Sequence, residues 1–305
     1  MTAGHAPLVL AFPEGLAAAQ RLAQAAGGRC AAIGHHRFPD GETRLRLPTP
    51  LPPDLIFYRS LDHPNPKLIE LAIAARTARE LGARHLTLVA PYLCYMRQDQ
   101  AFVPGEAVSQ RIVGALLADW FDALITVDPH LHRIHHLTEA VPLARAESLT
   151  AAALMADFLD QRFRAAGLPP PHLVGPDQES EQWVAAVAAP HRLTYGVGVK
   201  ERRGDREVAI RFARQDCAGR HLVLIDDVAS TGHTLEVAAR ALAEHRPASI
   251  SVLVTHALFV DDAVARLGTA GVSEIWSSDS IPHATNQLAL APLLARALVP
   301  SVAVR

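Results

Sequence analysis

The chain has little cysteine, almost no net charge and no long apolar run, and each shortage removes a class of protein. Only Cys30, Cys94 and Cys217 occur among 305 residues. Their odd number and unpaired spacing argue against a disulfide framework or a cysteine-rich metal site, and a reducing cytoplasm fits best. The formal net charge is −2 and the isoelectric point about 6.8. No broad basic field exists for nucleic acid, so any recognition of phosphate has to come from local groups. No stretch approaches the roughly 18 apolar residues that span a bilayer, and no cationic region precedes an apolar core at the N-terminus. A soluble, unexported protein without a membrane partner is expected. What the chain does have is apolar bulk: 50% apolar and 20% charged residues are enough for two ordinary domains with their own cores.

Periodicity alternates strand and helix throughout. Strands are expected over 7–11, 30–33, 43–47, 54–58, 85–90 and 123–127, with helices over 15–26, 66–81 and 107–120. After Pro142 the pattern restarts with a helix over 149–166, strands over 172–174, 193–199, 222–226, 249–255 and 273–276, and helices over 180–188, 235–242, 261–270 and 290–298. A short strand fits the tail over 300–304. Such alternation predicts an α/β protein with mostly parallel, doubly wound sheets flanked by helices. Pro169, Pro170 and Pro171 lie inside one βα series and are read as a surface turn. The boundary is placed near Arg145 to Ser148, giving domains 1–147 and 148–305, with the last helix or strand free to pack back on the first. Both halves share a strand–loop–helix style, yet no residue-level repeat stands out.

The stretch Leu222 to Thr234 carries the strongest chemical signal. Four apolar residues read as a buried strand, Asp226 and Asp227 sit at its carboxyl end, and Ser230-Thr231-Gly232-His233-Thr234 opens onto a helix. Free amides and the dipole of a helix N-terminus favour an anion, and the hydroxyls there would join them around a phosphate. The acids suit ribose hydroxyls or hydrated Mg²⁺. A strand end followed by an ordinary helix cap explains two acids and hydroxyls equally well. The complete string goes further, because it resembles the phosphoribosyl-pyrophosphate motif, an apolar run followed by Asp-Asp-x-x-x-Thr-Gly-x-Thr. The ligand that this resemblance implies is a ribose 5-phosphate.

Five other stretches fall around it: Phe38-Pro39-Asp40-Gly41-Glu42 in a turn, Arg97-Gln98-Asp99 after a strand, Asp128-Pro129-His130 at a strand end, Gly175-Pro176-Asp177, and a basic loop Lys200-Glu201-Arg202-Arg203. In this order, over roughly residues 38 to 234, they resemble ribose-phosphate diphosphokinase, the phosphoribosyl-pyrophosphate synthetase family. The resemblance implies two tandem domains of type I phosphoribosyltransferase fold. It also implies transfer of the diphosphoryl group of ATP to the C1 hydroxyl of ribose 5-phosphate with Mg²⁺.

By the same resemblance Phe38 stacks on adenine while Asp40 and Glu42 bond the base, reaching across a subunit interface of a homo-oligomer. Arg97, Gln98 and Asp99 belong to the ATP site, Arg97 through charge-assisted bonds to phosphate. His130 and Asp177, with Asp128, help to hold Mg²⁺. Lys200 and Arg202 match the catalytic pair, fixed cations aimed at the charge that spreads over a transferring diphosphate. A mobile loop at Gly204 and Asp205 would close over the reactants. Asp226, Asp227, Ser230, Thr231, Gly232, His233 and Thr234 take the ribose 5-phosphate. His132, His135 and His136 are expected to be a solvated face, because Mg²⁺ prefers oxygen ligands.

The departures are specific. Common members have Asp-Thr-Ala-Gly-Thr where this chain has Ser230 to Thr234, a form closer to archaeal members, and a Gly-Gly pair where it has Gln178-Glu179-Ser180-Glu181. Two other functions compete. A phosphoribosyltransferase needs only 222–234 and leaves 38–42 and 97–99 unexplained. A catalytically silent, nucleotide-binding paralogue is opposed by the presence of Lys200, Arg202, His130 and Asp177.

Overall fold

The computed structural model describes residues 6–131, 133–203, 207–212 and 217–298. Two compact units emerge, one running to Leu149 and taking in Ser280–Pro282 and the segment from Leu290, the other holding Thr150–Asp279 and His283–Ala289.

The first unit contains β1 (Leu8–Ala11), α1 (Leu16–Ala25), β2 (Arg29–Ala32), β3 (Gly34–Arg37), β4 (Thr43–Arg46), β5 (Asp54–Tyr58), α2 (Pro64–Glu80), β6 (His85–Val89), α3 (Ser109–Trp120), β7 (Ala123–Val127), α4 (Leu137–Ala140) and β8 (Arg145–Leu149). Its six-stranded sheet runs β2-β1-β5-β6-β7-β8, and every pairing in it is parallel. Strands covered by helices on both faces are apolar along their length, which is why Ala123 to Val127 is buried at every position. Phe57 of β5 meets the Phe121 ring edge-on, with centroids 5.6 Å apart. At Gly114 of α3 an added Cβ would lie 1.7 Å from the Ala140 carbonyl oxygen. Only a glycine lets α3 and α4 approach so closely.

The second unit contains α5 (Ala152–Ala165), β9 (His172–Gly175), α6 (Glu181–Ala188), β10 (Tyr195–Val197), β11 (Val199–Arg203), β12 (Glu207–Arg211), β13 (His221–Ala229), α7 (His233–Ala243), β14 (Ser249–Ala257), α8 (Ala263–Thr269), β15 (Glu274–Ser278) and β16 (Asn286–Leu288). Its sheet runs β10-β9-β13-β14-β15-β16, again parallel at every pairing. Leu222, Leu224, Val252 and Val254 are fully buried in its core. A final helix, α9 (Ala291–Leu298), returns to the first unit and packs on α1.

Both sheets are wound alike. The first two strands lie in reverse order at one edge, the rest follow in sequence, and an antiparallel hairpin intervenes between the second and third sheet strands: β3–β4 in one unit, β11–β12 in the other. Because the sheets are parallel, each hairpin leaves from the carboxyl edge of its sheet.

Several elements differ from the sequence expectation. The acids Asp226 and Asp227 lie inside β13, not at its end, because β14 stays paired alongside as far as Ala257. The expected basic loop at Lys200 is the β11–β12 ribbon, in which Val199, Val208 and Ile210 supply strand propensity. The stretch 145–149 forms the edge strand β8; its polar Arg-Ala-Glu-Ser pattern hides a strand. The tail 300–304, His132, Gly204 and Asp205 lie outside the described residues. Among the described residues no helix is long and apolar enough to cross a membrane.

Candidate functional site

In an open parallel sheet, ligands collect outside the carboxyl ends of the strands, where the winding reverses. In the second unit that point falls between β9 and β13, since β9 leads through α6 to one side and β13 leads through α7 to the other. On the β9 side the β13 ladder stops at Leu224, while on the β14 side it continues to Ala229. Asp226 and Asp227 occupy the one-sided extension. Asp227 is buried, and its Oδ1 accepts from the Val228 N–H at 2.8 Å. Asp226 Oδ1 accepts from the Asp227 N–H at 3.0 Å.

Across the crevice Asp177 follows β9 and caps a short turn of 3-10 helix, its Oδ1 accepting from the Glu179 and Ser180 N–H groups at 3.1 and 3.3 Å. Burial, then the charge of Asp227, with a further contribution from Asp177, hold the Asp226 carboxyl well above the usual carboxylate range. The loop 230–234 follows directly. Gly232 adopts φ +70° as the residue before α7, a left-handed turn that suits glycine, and exposed His233 donates its N–H to Thr231 Oγ1 at 3.4 Å. Structure therefore brings together Asp177, Asp226, Asp227 and the 230–234 loop.

The matching crevice of the first unit, between β1 and β5, is filled by the protein itself. Arg59 is buried there with its guanidinium 3.5 Å from the Phe12 ring centroid. It donates to Glu14 at 2.9 Å, to the Lys67 carbonyl at 3.2 Å and to Glu70. His35 reaches the same Glu70 at 2.8 Å, and Lys67 donates to Asp62 at 2.7 Å.

The remaining candidates of this unit lie on neighbouring strand ends. Arg97 is exposed after β6; Gln98 accepts a hydrogen bond from Ser109 and donates to Glu106 at 3.3 Å. Asp99 accepts from Arg133 at 2.6 Å, which ties the loop after β6 to the loop after β7. Its second oxygen is buried with no partner among the described residues, a desolvated acceptor that a donor or cation would relieve. Asp128 follows β7, buried and with φ +38°, a backbone outlier of the kind that gathers at functional sites. His130, two residues on, is half-buried.

Phe38, Asp40 and Glu42 form the tip of the β3–β4 hairpin. The Phe38 N–H donates to the Glu42 carbonyl at 2.8 Å, Asp40 Oδ1 accepts from the Glu42 N–H at 3.1 Å, and the Phe38 ring lies edge-on to His36 with centroids 4.7 Å apart. The hairpin springs from β2, which β1 and β5 separate from β6, roughly 14 Å at the usual strand spacing. From that base the hairpin leans toward α2, where His35 reaches Glu70 at 2.8 Å. Lys200 and Arg202 stand opposite Ile210 and Val208 in the β11–β12 register.

Comparison with known proteins decides what this arrangement belongs to. The model of the N-terminal domain of ribose phosphate pyrophosphokinase matches residues 9–120, and that of the phosphoribosyl transferase domain matches 146–271. A ribose-phosphate pyrophosphokinase of Methanopyrus kandleri is 34% identical over 292 residues, covering 95% of this chain and 98% of the relative. The chain belongs to the ribose-phosphate pyrophosphokinase family. A relative of the same name from Halobacterium salinarum is 32% identical over 93% of this chain and 97% of its own length. The crystal structure of phosphoribosylpyrophosphate synthetase from Mycobacterium smegmatis superimposes with a TM-score of 0.81 at 22% identity, covering 95% of this chain and 97% of that one. The fold is the same: two tandem α/β domains of phosphoribosyltransferase type.

Within this ribose-phosphate pyrophosphokinase frame, the acids at the second crevice fit a divalent cation. The charges of Asp227 and Asp177 raise the cost of ionising Asp226, and such an ion neutralises the potential they create. Among the described residues no group of three or more His, Cys, Asp or Glu side chains is arranged as a metal shell. Mg²⁺ does not require one, because it is commonly held by one or two carboxylates, water and substrate phosphates. His135 and His136 are exposed. Sequence reasoning passed over Arg133 and Arg266, whose partners Asp99 and Thr231 lie far away along the chain; no local pattern announces either.

Proposed function

We propose that this chain is a ribose-phosphate diphosphokinase, moving the diphosphoryl group of ATP to the C1 hydroxyl of ribose 5-phosphate. The hydroxyl oxygen bonds to the β-phosphorus, the bond from that phosphorus to the α,β-bridging oxygen breaks, and AMP leaves with the electron pair. The hydroxyl proton is released, and phosphoribosyl pyrophosphate is the other product. The observation that carries this reading is the clustering of Asp177, Asp226 and Asp227 at the winding reversal, directly beside the 230–234 loop.

In this reading the N–H groups and hydroxyls of Ser230, Thr231, Gly232, His233 and Thr234 hold the 5-phosphate, and Asp226 and Asp227 hold the ribose hydroxyls. Arg97, Gln98 and Asp99 bind ATP. Phe38 stacks on the base, with Asp40 and Glu42 bonding its edge. In this reading the hairpin tip completes the ATP site of a neighbouring subunit in a homo-oligomer. Asp128, His130 and Asp177 would hold Mg²⁺, which when bound neutralises phosphate charge. Lys200 and Arg202 place fixed cations against the charge that builds on the transferring group, and such preorganised charge lowers the barrier most where water is excluded. The reducing cytoplasm suits three free thiols.

The test is the product. Purified protein with Mg²⁺-ATP and ribose 5-phosphate should release AMP, one for each phosphoribosyl pyrophosphate formed. Release of ADP, or no nucleotide turnover under these conditions, would defeat the assignment.

A further inference from the structure

The loop between β13 and α7 is held from behind by a side chain of α8. Arg266 donates through Nη2 to the Thr231 carbonyl at 2.5 Å, through Nε to Glu236 Oε2 at 3.1 Å, and through Nη1 to Asp262. Arg240 donates to the other oxygen of Glu236 at 2.9 Å. The Arg240 hydrogen bond, with charge and hydrogen bonding from both guanidiniums, holds the Glu236 carboxyl below the usual range. Arg266 is therefore committed to two carboxylates and one carbonyl, leaving it little reach toward a ligand.

Its bond to the carbonyl matters for the loop. A trans peptide unit is planar, with its C=O and N–H pointing to opposite sides. When Arg266 draws the Thr231 oxygen toward α8, the N–H of the same peptide, that of Gly232, faces away from α8. The loop also lies in van der Waals range of α8: a Cβ built on Gly232 would lie 3.4 Å from Ala263 Cβ. Without the guanidinium, a flip of this peptide would swing the carbonyl into the loop, setting partial negative charge where an anion has to sit, and the φ of +70° at Gly232 makes such a flip easy.

We propose that Arg266 is a positioning residue for the sugar-phosphate loop, locking the Thr231–Gly232 peptide so that its N–H is presented to a phosphomonoester. The inference rests on the reading of 230–234 as the ribose 5-phosphate loop, and it adds a residue outside every motif that led to that reading.

Two variants of the full chain test it, Arg266→Met, which keeps the apolar stem, and Arg266→Lys, which keeps one charged donor. Calorimetry with ribose 5-phosphate should show about tenfold weaker binding for Arg266→Met and partial recovery for Arg266→Lys, as expected for loss of a charge-assisted tether. ATP affinity should stay within about twofold, and the KM for ribose 5-phosphate should rise more than kcat falls. A merely structural role would not move the amide resonance of Gly232, which should shift downfield with ribose 5-phosphate in the wild type, not with ribose, and lose that response in Arg266→Met. A wild-type response fully retained in Arg266→Met overturns the proposal alone. Equal weakening toward ATP and ribose 5-phosphate also overturns it, since that marks general loosening. No Gly232 response in the wild type would refute the loop reading itself, and the proposal with it.

Discussion

Replacing Arg59 by Met probes the self-filled crevice of the first unit. The side chains of Arg59 and Glu70 are 4% and 7% exposed, whereas that of Glu14 is 42% exposed. Methionine keeps most of the stem against Phe12 but removes every donor, leaving the buried Glu70 carboxylate with His35 at 2.8 Å. Breaking a buried pair by deleting one partner costs about 3–5 kcal/mol. Because His35 persists, the lower end applies, about 3 kcal/mol, or roughly a hundredfold in an opening equilibrium. Native-state amide exchange in β5 and α2 is the assay, since it reads the opening of this region without requiring the two units to unfold together.

The pH dependence follows from Glu70. Burial pushes its carboxyl up, but hydrogen bonds from His35 and Arg59 and the Arg59 charge overrule that and hold it below the usual value. A depressed carboxyl contributes stability that is present above its unfolded value, near pH 4.3, and is lost as the pH falls through the folded value. The penalty of Arg59→Met should therefore be full at pH 7 and shrink as acid puts a proton on Glu70. Exchange accelerated less than about threefold at pH 7, or a penalty that acid leaves undiminished, would refute the argument.

Other outcomes follow from the proposed site. Lys200→Ala and Arg202→Ala should each lower kcat by about two or more orders of magnitude with ATP affinity within a few-fold, measured by single turnover beside equilibrium binding. Asp226→Asn or Asp227→Asn should weaken ribose 5-phosphate far more than ATP in separate calorimetric titrations; the reverse would mean that the two sites are exchanged. Phe38→Ala and Lys200→Ala chains, each nearly inactive, should regain activity when mixed and reassembled, with light scattering reporting the subunit number. Gly114→Ala should destabilise the first unit by about 3 kcal/mol or more in urea titrations, because the new methyl meets backbone, which yields less readily than a side chain.

Much of the architecture was legible because buried parallel strands write themselves as apolar runs. The run Ala123 to Val127 became a strand with those same limits, as did Asp54 to Tyr58. Where a strand is exposed or at an edge the signal fails. Gly-His-His-Arg in β3 is exposed at all four positions, so nothing apolar marks it, and β8 and β16 sit at sheet edges. The far limit of β13 was invisible for another reason. Two acids imitate a strand end, and only the company of β14 carries the ladder past them. At the site, the motif residues were legible because their chemistry is local, whereas Arg266 acts on Thr231 across 35 positions of the chain.

The identical placement of a hairpin after the second sheet strand in each unit has a consequence for how such a protein can change. At that junction a parallel sheet has already secured its edge, so a ribbon of variable length and composition can be exchanged there without altering the register of any sheet strand. One copy bears an aromatic and two acids, the other bears lysine and arginine. The same junction has thus been furnished twice with different side chains, and grafting either ribbon elsewhere on such a sheet would disturb pairings that this position leaves alone.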